Sequence, residues 1–258
     1  MRVLLLGGNG MLGSEIAEVM RDENGYIVQA PSRRELDITD YAAVRSWFRR
    51  WHPDIVINAA GAINARNASV VEMNRVNAMG AGYLASASHA VGARLVHVST
   101  DCVFSGGKLD GPYQETDKTD ATDPYGQSKR VGEAAVLGFQ EHLVIRTSFI
   151  GPRHGFWAWL EQATNHVDLW TGAYWSGSTA RDVARGVIEL AFSDMTRVYH
   201  LATEGAISKA GLAHLLWKFD LAPECSYTEV DEPIINHWLT TDGSIKLRPL
   251  VDALQEYR

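Results

Sequence analysis

The chain has only two cysteines, Cys102 and Cys225, and they show no metal-ligand spacing. That excludes a disulfide framework and a cysteine-built metal centre, so no metal is expected, and a reducing, cytoplasmic setting fits. Long apolar runs are also missing. The opening MRVLLLGG is far too short to span a bilayer, and no small-residue cleavage site follows it, so no signal peptide is expected. The sequon Asn67-Ala68-Ser69 is then expected to be chance. Positive charge is in deficit: the formal net charge of -7 argues against nucleic acid or an anionic membrane as the main partner. An anionic ligand would therefore need a local basic pocket. Repeats and low-complexity segments are absent.

What is present is enough for a sizeable core. A length of 258 residues is near the upper size for one core, so one domain or two interleaved ones is expected. Aliphatic runs at Val3–Leu6, Tyr26–Ala30, Ile55–Asn58, Arg94–Val98 and Leu143–Thr147 read as strands. Between them, Met11–Arg21, Tyr41–Trp51, Val70–Val91 and Pro124–Gln140 carry apolar residues at helical spacing. This alternation predicts an α/β fold, a doubly wound parallel sheet of Rossmann-like type with helices on both faces. A helix over Ser178–Ala191, capped by Ser178 or Thr179, and a strand at Val198–Leu201 complete it.

Two stretches break the pattern. Asp101–Asp123 is long, polar and rich in Gly and Asp, and residues 151–177 and 203–258 are irregular and tryptophan-bearing. In a doubly wound sheet, ligands bind outside the carboxyl ends of the strands. Residues 1–150, completed by 178–202, are thus expected to form a nucleotide-binding domain. Residues 151–177 and 203–258 would form a small, interleaved substrate domain over that edge.

The first strand runs into Gly7-x-x-Gly10-x-x-Gly13 at the start of a helix. Glycines there permit a tight turn and close approach of backbone amides to a pyrophosphate, and a helix N-terminus favours an anion. An ordinary glycine-rich turn would give the same triplet. Its place between a first strand and an amphipathic helix favours a dinucleotide. At the end of the second strand stands Ala30-Pro31-Ser32-Arg33, with no acidic residue before Glu35. Ser32 and Arg33 can bind a 2′-phosphate, so NADPH is the expected cofactor, with NADH possible. Two solvated arginines on a loop are the plainer alternative. Asp37-Ile38 has a spacing suited to the adenine edge, and Asn58-Ala59-Ala60-Gly61 ends the third strand beside the cofactor.

The fourth strand ends in Ser99-Thr100, and Tyr125 and Lys129 stand at i and i+4 on a helix opened by Asp123-Pro124. A free phenol has a pKa of about 10, and a nearby ammonium would lower it while also bonding the nicotinamide ribose. Thr100 would hold a substrate carbonyl oxygen. Hydride would pass to the carbonyl carbon as Tyr125 protonates the developing alkoxide. A lone Y-x-x-x-K is common on helices; its order after the glycine turn, N-A-A and S-T gives it weight.

These motifs resemble the extended short-chain dehydrogenases, most closely the dTDP-4-dehydrorhamnose reductase family. The residues that carry the resemblance are GGNGMLG, ELDITD (Glu35–Asp40), PDIVINAA (Pro53–Ala60), Val76-Asn77, STDCVFSG (Ser99–Gly106), PYQETD (Pro112–Asp117), DPYGQSK (Asp123–Lys129) and RTSFIG (Arg146–Gly151). It covers the first 150 residues well and the later GVIELAF and RVYHLA stretches loosely. It implies a nicotinamide cofactor, a nucleotide-linked 4-keto-6-deoxy sugar reduced at C4, and Thr100, Tyr125 and Lys129 as the catalytic set. It also implies cofactor contacts from Asn9, Met11, Leu12, Ser99, Thr147 and Ser148, besides the positions above.

Two departures bear on substrate. Asn64-Ala65-Arg66-Asn67-Ala68 replaces an acidic V-D-x-A-E pattern. Cys102 occupies the place of a catalytic cysteine in the similar 3,5-epimerase/4-reductases, with His154 the nominated acid partner, although a small space-filling residue is the plainer reading. A bifunctional epimerase/reductase is therefore one alternative. A non-catalytic NADP-binding regulatory subunit, like that of methionine adenosyltransferase, is the other. His97 and His200 read as core. Trp157, Trp159, Trp170 and Trp175 could stack on a base or sugar, or simply pack. Arg66, Arg153, Arg181 and Arg248 could meet a substrate pyrophosphate, or form surface salt bridges. A homodimer is left open.

Overall fold

Along the first strand, β1 (Arg2–Leu6), successive side chains are buried in opposite directions. Val3 and Leu5 join one apolar cluster, Leu4 and Leu6 another. A strand buried on both faces needs cover on both, which is the condition for a parallel sheet between helical layers. The computed structural model describes residues 1–21, 25–63 and 68–258. With β2 (Ile27–Gln29), β3 (Ile55–Asn58), β4 (Arg94–Val98), β5 (Leu143–Arg146) and β6 (Arg197–His200), β1 forms a six-stranded sheet in the order β6-β5-β4-β3-β1-β2. Every neighbouring pair is parallel.

Helix α1 (Met11–Arg21) supplies Leu12, Ile16 and Met20 to the first cluster. Helix α2 (Tyr41–Trp51) supplies Val44 and Phe48 to the second, and its N-cap Asp40 accepts from Ala43 N at 3.0 Å. The expected helix over Val70–Val91 is continuous but not uniform. It runs as α3 (Val70–Met73), a π-helical segment (Asn74–Gly80) and α4 (Ala81–Val91). Helix α5 (Pro124–Val136) stops short of the expected Gln140 near Gly138, with Leu137 N bonded to Glu133 O. The edge strand β2 is shorter than expected at both ends, and β5 ends one residue earlier than expected.

Beyond β5, α6 (Gly155–Glu161), α7 (Ala180–Ala191), α8 (Lys209–Lys218) and α9 (Leu250–Gln255) alternate with short strands. Thr179 is the N-cap of α7, its hydroxyl accepting from Asp182 N, while Ser178 lies in a two-residue strand beside Phe149. α7 completes the first cluster against α1. The remaining elements build a separate apolar cluster around Trp157, Trp175, Leu212, Leu216, Trp217 and Leu254. No helix among the described residues is long and apolar enough to cross a membrane.

Buried charge ties the polar Asp101–Asp123 stretch to the sheet. Arg146, on β5, meets Glu133 of α5 at 2.9 Å, both almost fully buried, and stacks over Phe104. His200 Nδ1 lies 3.0 Å from Thr240 O, and its Nε2 lies 3.4 Å from an Arg146 nitrogen. Burial, reinforced by Arg146 and opposed by Glu115, pulls the imidazole down to about 4. The unfolded chain takes up this proton near pH 6.5, so folding is fully supported above that value and is weakened as pH falls toward 4. The urea midpoint should drop over that window, His200 accounting for up to about 3 kcal/mol. In His200→Asn, which can still donate to Thr240 O, the drop should be clearly shallower. Identical pH slopes for the two proteins would refute this.

Candidate active site at the carboxyl edge of the sheet

From β1 the chain moves outward to β2 and then returns to β3 on the other side of β1. Loops leave a crevice where the strand order reverses, and ligands bind there. The crevice depends on backbone contact. Gly7 has φ +80°, and a Cβ on it would lie 2.6 Å from Ala60 N; one on Gly13 would lie 2.1 Å from Gly7 O. Gly10 N closes the turn on Gly7 O at 2.8 Å, and α1 starts one residue later with its first amides toward the turn. Gly13 therefore serves packing and does not line the cleft.

Two cavities, about 320 and 530 Å³, share Gly10, Ala59, Ala60, Gly61 and Ile63 and form one cleft. The first is bordered by Gly7, Asn9, Ser32, Arg33, Asp37 and Ile38, all expected, and by Glu72, which was not. The second is bordered by the expected Met11, Leu12, Ser99, Thr100, Tyr125, Lys129, Thr147 and Ser148, with Cys102 and His154. Ser99 Oγ and Thr147 Oγ1 are buried there without a hydrogen-bond partner among the described residues. Orphaned hydroxyls beside a glycine cradle fit a polar, phosphate-bearing dinucleotide. Asn58 stands behind the cleft, holding Ala60 N at 3.1 Å and His97 Nδ1 at 2.9 Å.

The loop after β2 differs from its expected state. Ser32 N and Oγ both donate to Glu35, at 2.7 and 2.8 Å. Arg33 is paired with Glu72 at 3.0 Å and with Asp37 at 3.5 Å. The carboxylate that answers Arg33 is 39 residues away in sequence, and S-x-x-E at Ser69–Glu72 reads as a capping box, so nothing local signals the pair.

Asp123 sets the start of α5 by accepting from Tyr125 N and Gly126 N. Gly126 and Gly132 let that helix approach closely: a Cβ on either would lie 2.1 Å from a backbone oxygen, of Cys102 and of Asn77 respectively. Lys129 Nζ donates to Val98 O at 2.7 Å and lies 3.5 Å from His97 Nε2. Burial lowers the ammonium to about 8, with Glu133 opposing. Burial, with the lysine charge, also pushes His97 well down, so this ring is neutral. The phenol of Tyr125 moves opposite to expectation. Burial first, then the Asp101 and Asp123 carboxylates, raise its pKa, with Thr100 opposing. Lys129 spends its short contact on a carbonyl instead.

Thr100 is also differently engaged. Its hydroxyl donates to Asp101 Oδ1 at 3.0 Å and accepts from Cys102 N at 3.2 Å. The Cys102 thiol donates to the same carboxylate oxygen at 3.4 Å, and burial, followed by Asp101, raises its pKa well above the usual thiol value. Sequence reasoning passed over Asp101 because its role depends on burial. The role of Asn77 was equally hidden. Its amide bonds Ala62 N and Ala62 O and donates to Ser128 Oγ, clamping the loop after β3 to α5. A π segment in the middle of a helix is a common mark of a functional site.

Among the pyrophosphate candidates, Arg66 lies outside the described residues, as do Asn64, Ala65 and Asn67. Arg181 pairs with Glu15 and Glu18, Arg248 with Asp182 and Glu256, and Arg153 donates to Ser14 Oγ. Trp157 and Trp175 are buried in the apolar cluster with Leu212 and Leu216, while Trp159 and Trp170 are exposed and do not border the cleft. Lys209, at the start of α8, makes no ion pair among the described residues. Its ammonium stands 5.1 Å from the Trp175 ring and 5.5 Å from Phe156, next to the cleft residue Gly155.

Comparison with known proteins agrees with this geometry. A family model described as the RmlD substrate binding domain matches residues 1–234. The spore coat polysaccharide biosynthesis protein SpsK of Bacillus subtilis is 35% identical, the match covering 99% of this chain and 96% of SpsK. A dTDP-4-dehydrorhamnose reductase of Mycobacterium tuberculosis is 37% identical over 84% of this chain and 75% of that protein. The crystal structure of a dTDP-4-dehydrorhamnose reductase from Clostridium acetobutylicum superposes with a TM-score of 0.90 at 25% identity, covering 100% of this chain and 98% of that one. The chain belongs to the RmlD substrate-binding-domain family, that of the dTDP-4-dehydrorhamnose reductases.

Proposed function

We propose that the protein is an NAD(P)H-dependent reductase of a nucleotide-linked 4-keto-6-deoxy sugar, with NADPH preferred and NADH accepted. The observation that carries this reading is one continuous cleft. It joins the glycine turn after β1 to Thr100, Tyr125 and Lys129, and is bordered by the Ser99 and Thr147 hydroxyls, which have no partner among the described residues. Gly7, Gly10 and the first amides of α1 would hold the pyrophosphate, and Ser99, Thr147 and Lys129 the nicotinamide half. The bound dinucleotide supplies the hydride that reaches the sugar's carbonyl carbon.

The chain's own part is to load and place a proton. A phenol whose pKa is raised stays protonated across the working range, which suits an acid that must deliver to the forming alkoxide. Thr100, its own proton committed to Asp101, borders the same cavity as the Tyr125 phenol. Lys129 remains a cation at neutral pH and stabilises the phenolate left after transfer. Residues 151–177 and 203–258 would form the sugar-nucleotide side, with Lys209 a cation available to a diphosphate. Cys102 and His154 border the same cavity, which favours epimerisation as a second reading. Asp101 works against it by keeping the thiol protonated. A purely regulatory role would leave the ordered acid and cation without use.

Three outcomes are expected. Tyr125→Phe should bind NADPH as the wild type does yet lose roughly 10²–10⁴-fold in turnover of a dTDP-4-keto-6-deoxy sugar, followed by NADPH absorbance. Turnover near that of the wild type would eliminate the proposed acid. The reductase rate should fall as pH rises through about 8, where Lys129 loses its charge; a rate that is flat to pH 10 contradicts the role given to it. Cys102→Ser should keep most of the activity, and mass spectrometry should find no deuterium from solvent at the ring carbons beside the ketone. Exchange in the wild type that vanishes in the serine variant would establish the bifunctional reading instead.

A further inference from the structure

The loop after β2 and the first turn of α3 meet across the Gly7 end of the cleft. Arg33 Nη1 lies 3.0 Å from Glu72 Oε1, and Arg33 Nε lies 3.5 Å from Asp37 Oδ2; all three residues border the cavity. One guanidinium thus faces two carboxylates, and the trio carries net negative charge before any ligand arrives. Asp37 is held within its own turn, where Oδ1 accepts from Thr39 N and Thr39 Oγ1, each at 2.9 Å. Glu72 is held differently. Its amide N caps normally on Ser69 Oγ at 3.1 Å, the S-x-x-E arrangement in which the glutamate usually turns back to the N-cap amide. Here its carboxylate reaches across the cleft to Arg33.

We propose that Glu72 is the positioning residue that sets cofactor choice, by competing with a 2′-phosphate for Arg33. The proposal rests on the cofactor reading given above and deepens it. A phosphate entering beside Arg33 has to replace Glu72 there and tolerate both carboxylates nearby. A ribose diol requires no such exchange and leaves the Arg33–Glu72 pair in place. The pair is well exposed, at 65% and 43% for the two side chains, so the exchange is inexpensive and both dinucleotides are accommodated. The preference for NADPH is therefore narrower than a lone arginine would give, and this chain controls it from α3, outside the loop where such selectivity is ordinarily sought.

The test is calorimetric titration of NADPH and of NADH into the full-length wild type, Glu72→Gln, Arg33→Ala and the double variant, at low salt. Glutamine keeps the amide cap on Ser69 and the side-chain length while removing the charge. Glu72→Gln should tighten NADPH by about fivefold, the upper size of an exposed ion pair's effect, with NADH unchanged within about twofold. Most of that gain should be absent in the Arg33→Ala background, since competition requires the arginine. Raising the salt should shrink the difference. An unchanged NADPH-to-NADH ratio in Glu72→Gln overturns the proposal, as does a gain that persists undiminished without Arg33. Weakening of both dinucleotides alike would make Glu72 merely structural and would also overturn it. The cofactor reading fails separately: if Arg33→Ala leaves the wild-type ratio unaltered, or the wild type binds neither dinucleotide, the loop does not read the phosphate and the proposal falls with it.

Discussion

The site depends on one close approach, that of the turn after β1 to the backbone after β3. No side chain fits between Gly7 and Ala60, so the two loops touch through backbone and hold the mouth of the crevice at fixed width. Everything else is built outward from that contact. The partner loop is held from behind by Asn58 and from the side by Asn77, which ties Ala62 to Ser128 on the helix that carries Tyr125 and Lys129. The glycine turn and the helix of Tyr125 are therefore linked through two asparagine amides, each fully buried and each hydrogen-bonded on both its oxygen and its nitrogen. Leaving either amide partly unpaired would cost more than the bonds themselves contribute.

A second organising influence is buried carboxylate. Asp101 and Glu133 are both nearly inaccessible, and each fixes the protonation of a neighbour. Asp101 accepts hydrogen bonds from Thr100 and Cys102, which leaves the threonine oxygen an acceptor and the cysteine a thiol. Glu133 pairs with Arg146 and opposes the loss of charge on Lys129 one helical turn away. The same low-dielectric surroundings that hold Tyr125 protonated keep His97 and His200 neutral. The acid–base character of the cleft is thus more a matter of exclusion of water than of any single charged pair.

What was legible in the sequence is what is local. The strand, glycine turn and helix from Val3 to Arg21 follow from short-range periodicity, and α1, α2, β3 and β4 have the bounds their patterns imply. Tyr125 and Lys129 share a cavity because an i, i+4 spacing on a capped helix puts them on one side. The contacts that were not legible join distant segments. Glu72 reaches Arg33 from 39 residues away, and Asn77 reaches Ser128 across 51. The direction of the Tyr125 shift was misjudged for a related reason: a spacing reveals the neighbouring ammonium but not the depth at which the phenol sits, and depth dominates.

The π-helical segment between α3 and α4 is where the chain takes up surplus length. An α-helix turns about 100° per residue, and a wider π turn admits an additional residue without passing that rotation on to the helix beyond it. Met73 before the segment and Leu84 and Ala85 after it are buried, while Asn77 within it is directed at Ala62 and Ser128. Taking one residue out of Asn74–Gly80 would let regular winding return and leave α4 close to its present phase, but the turn from which Asn77 reaches both partners would be gone. The segment therefore behaves like slack kept in the chain for one side chain, and the aim of that asparagine is what the slack provides.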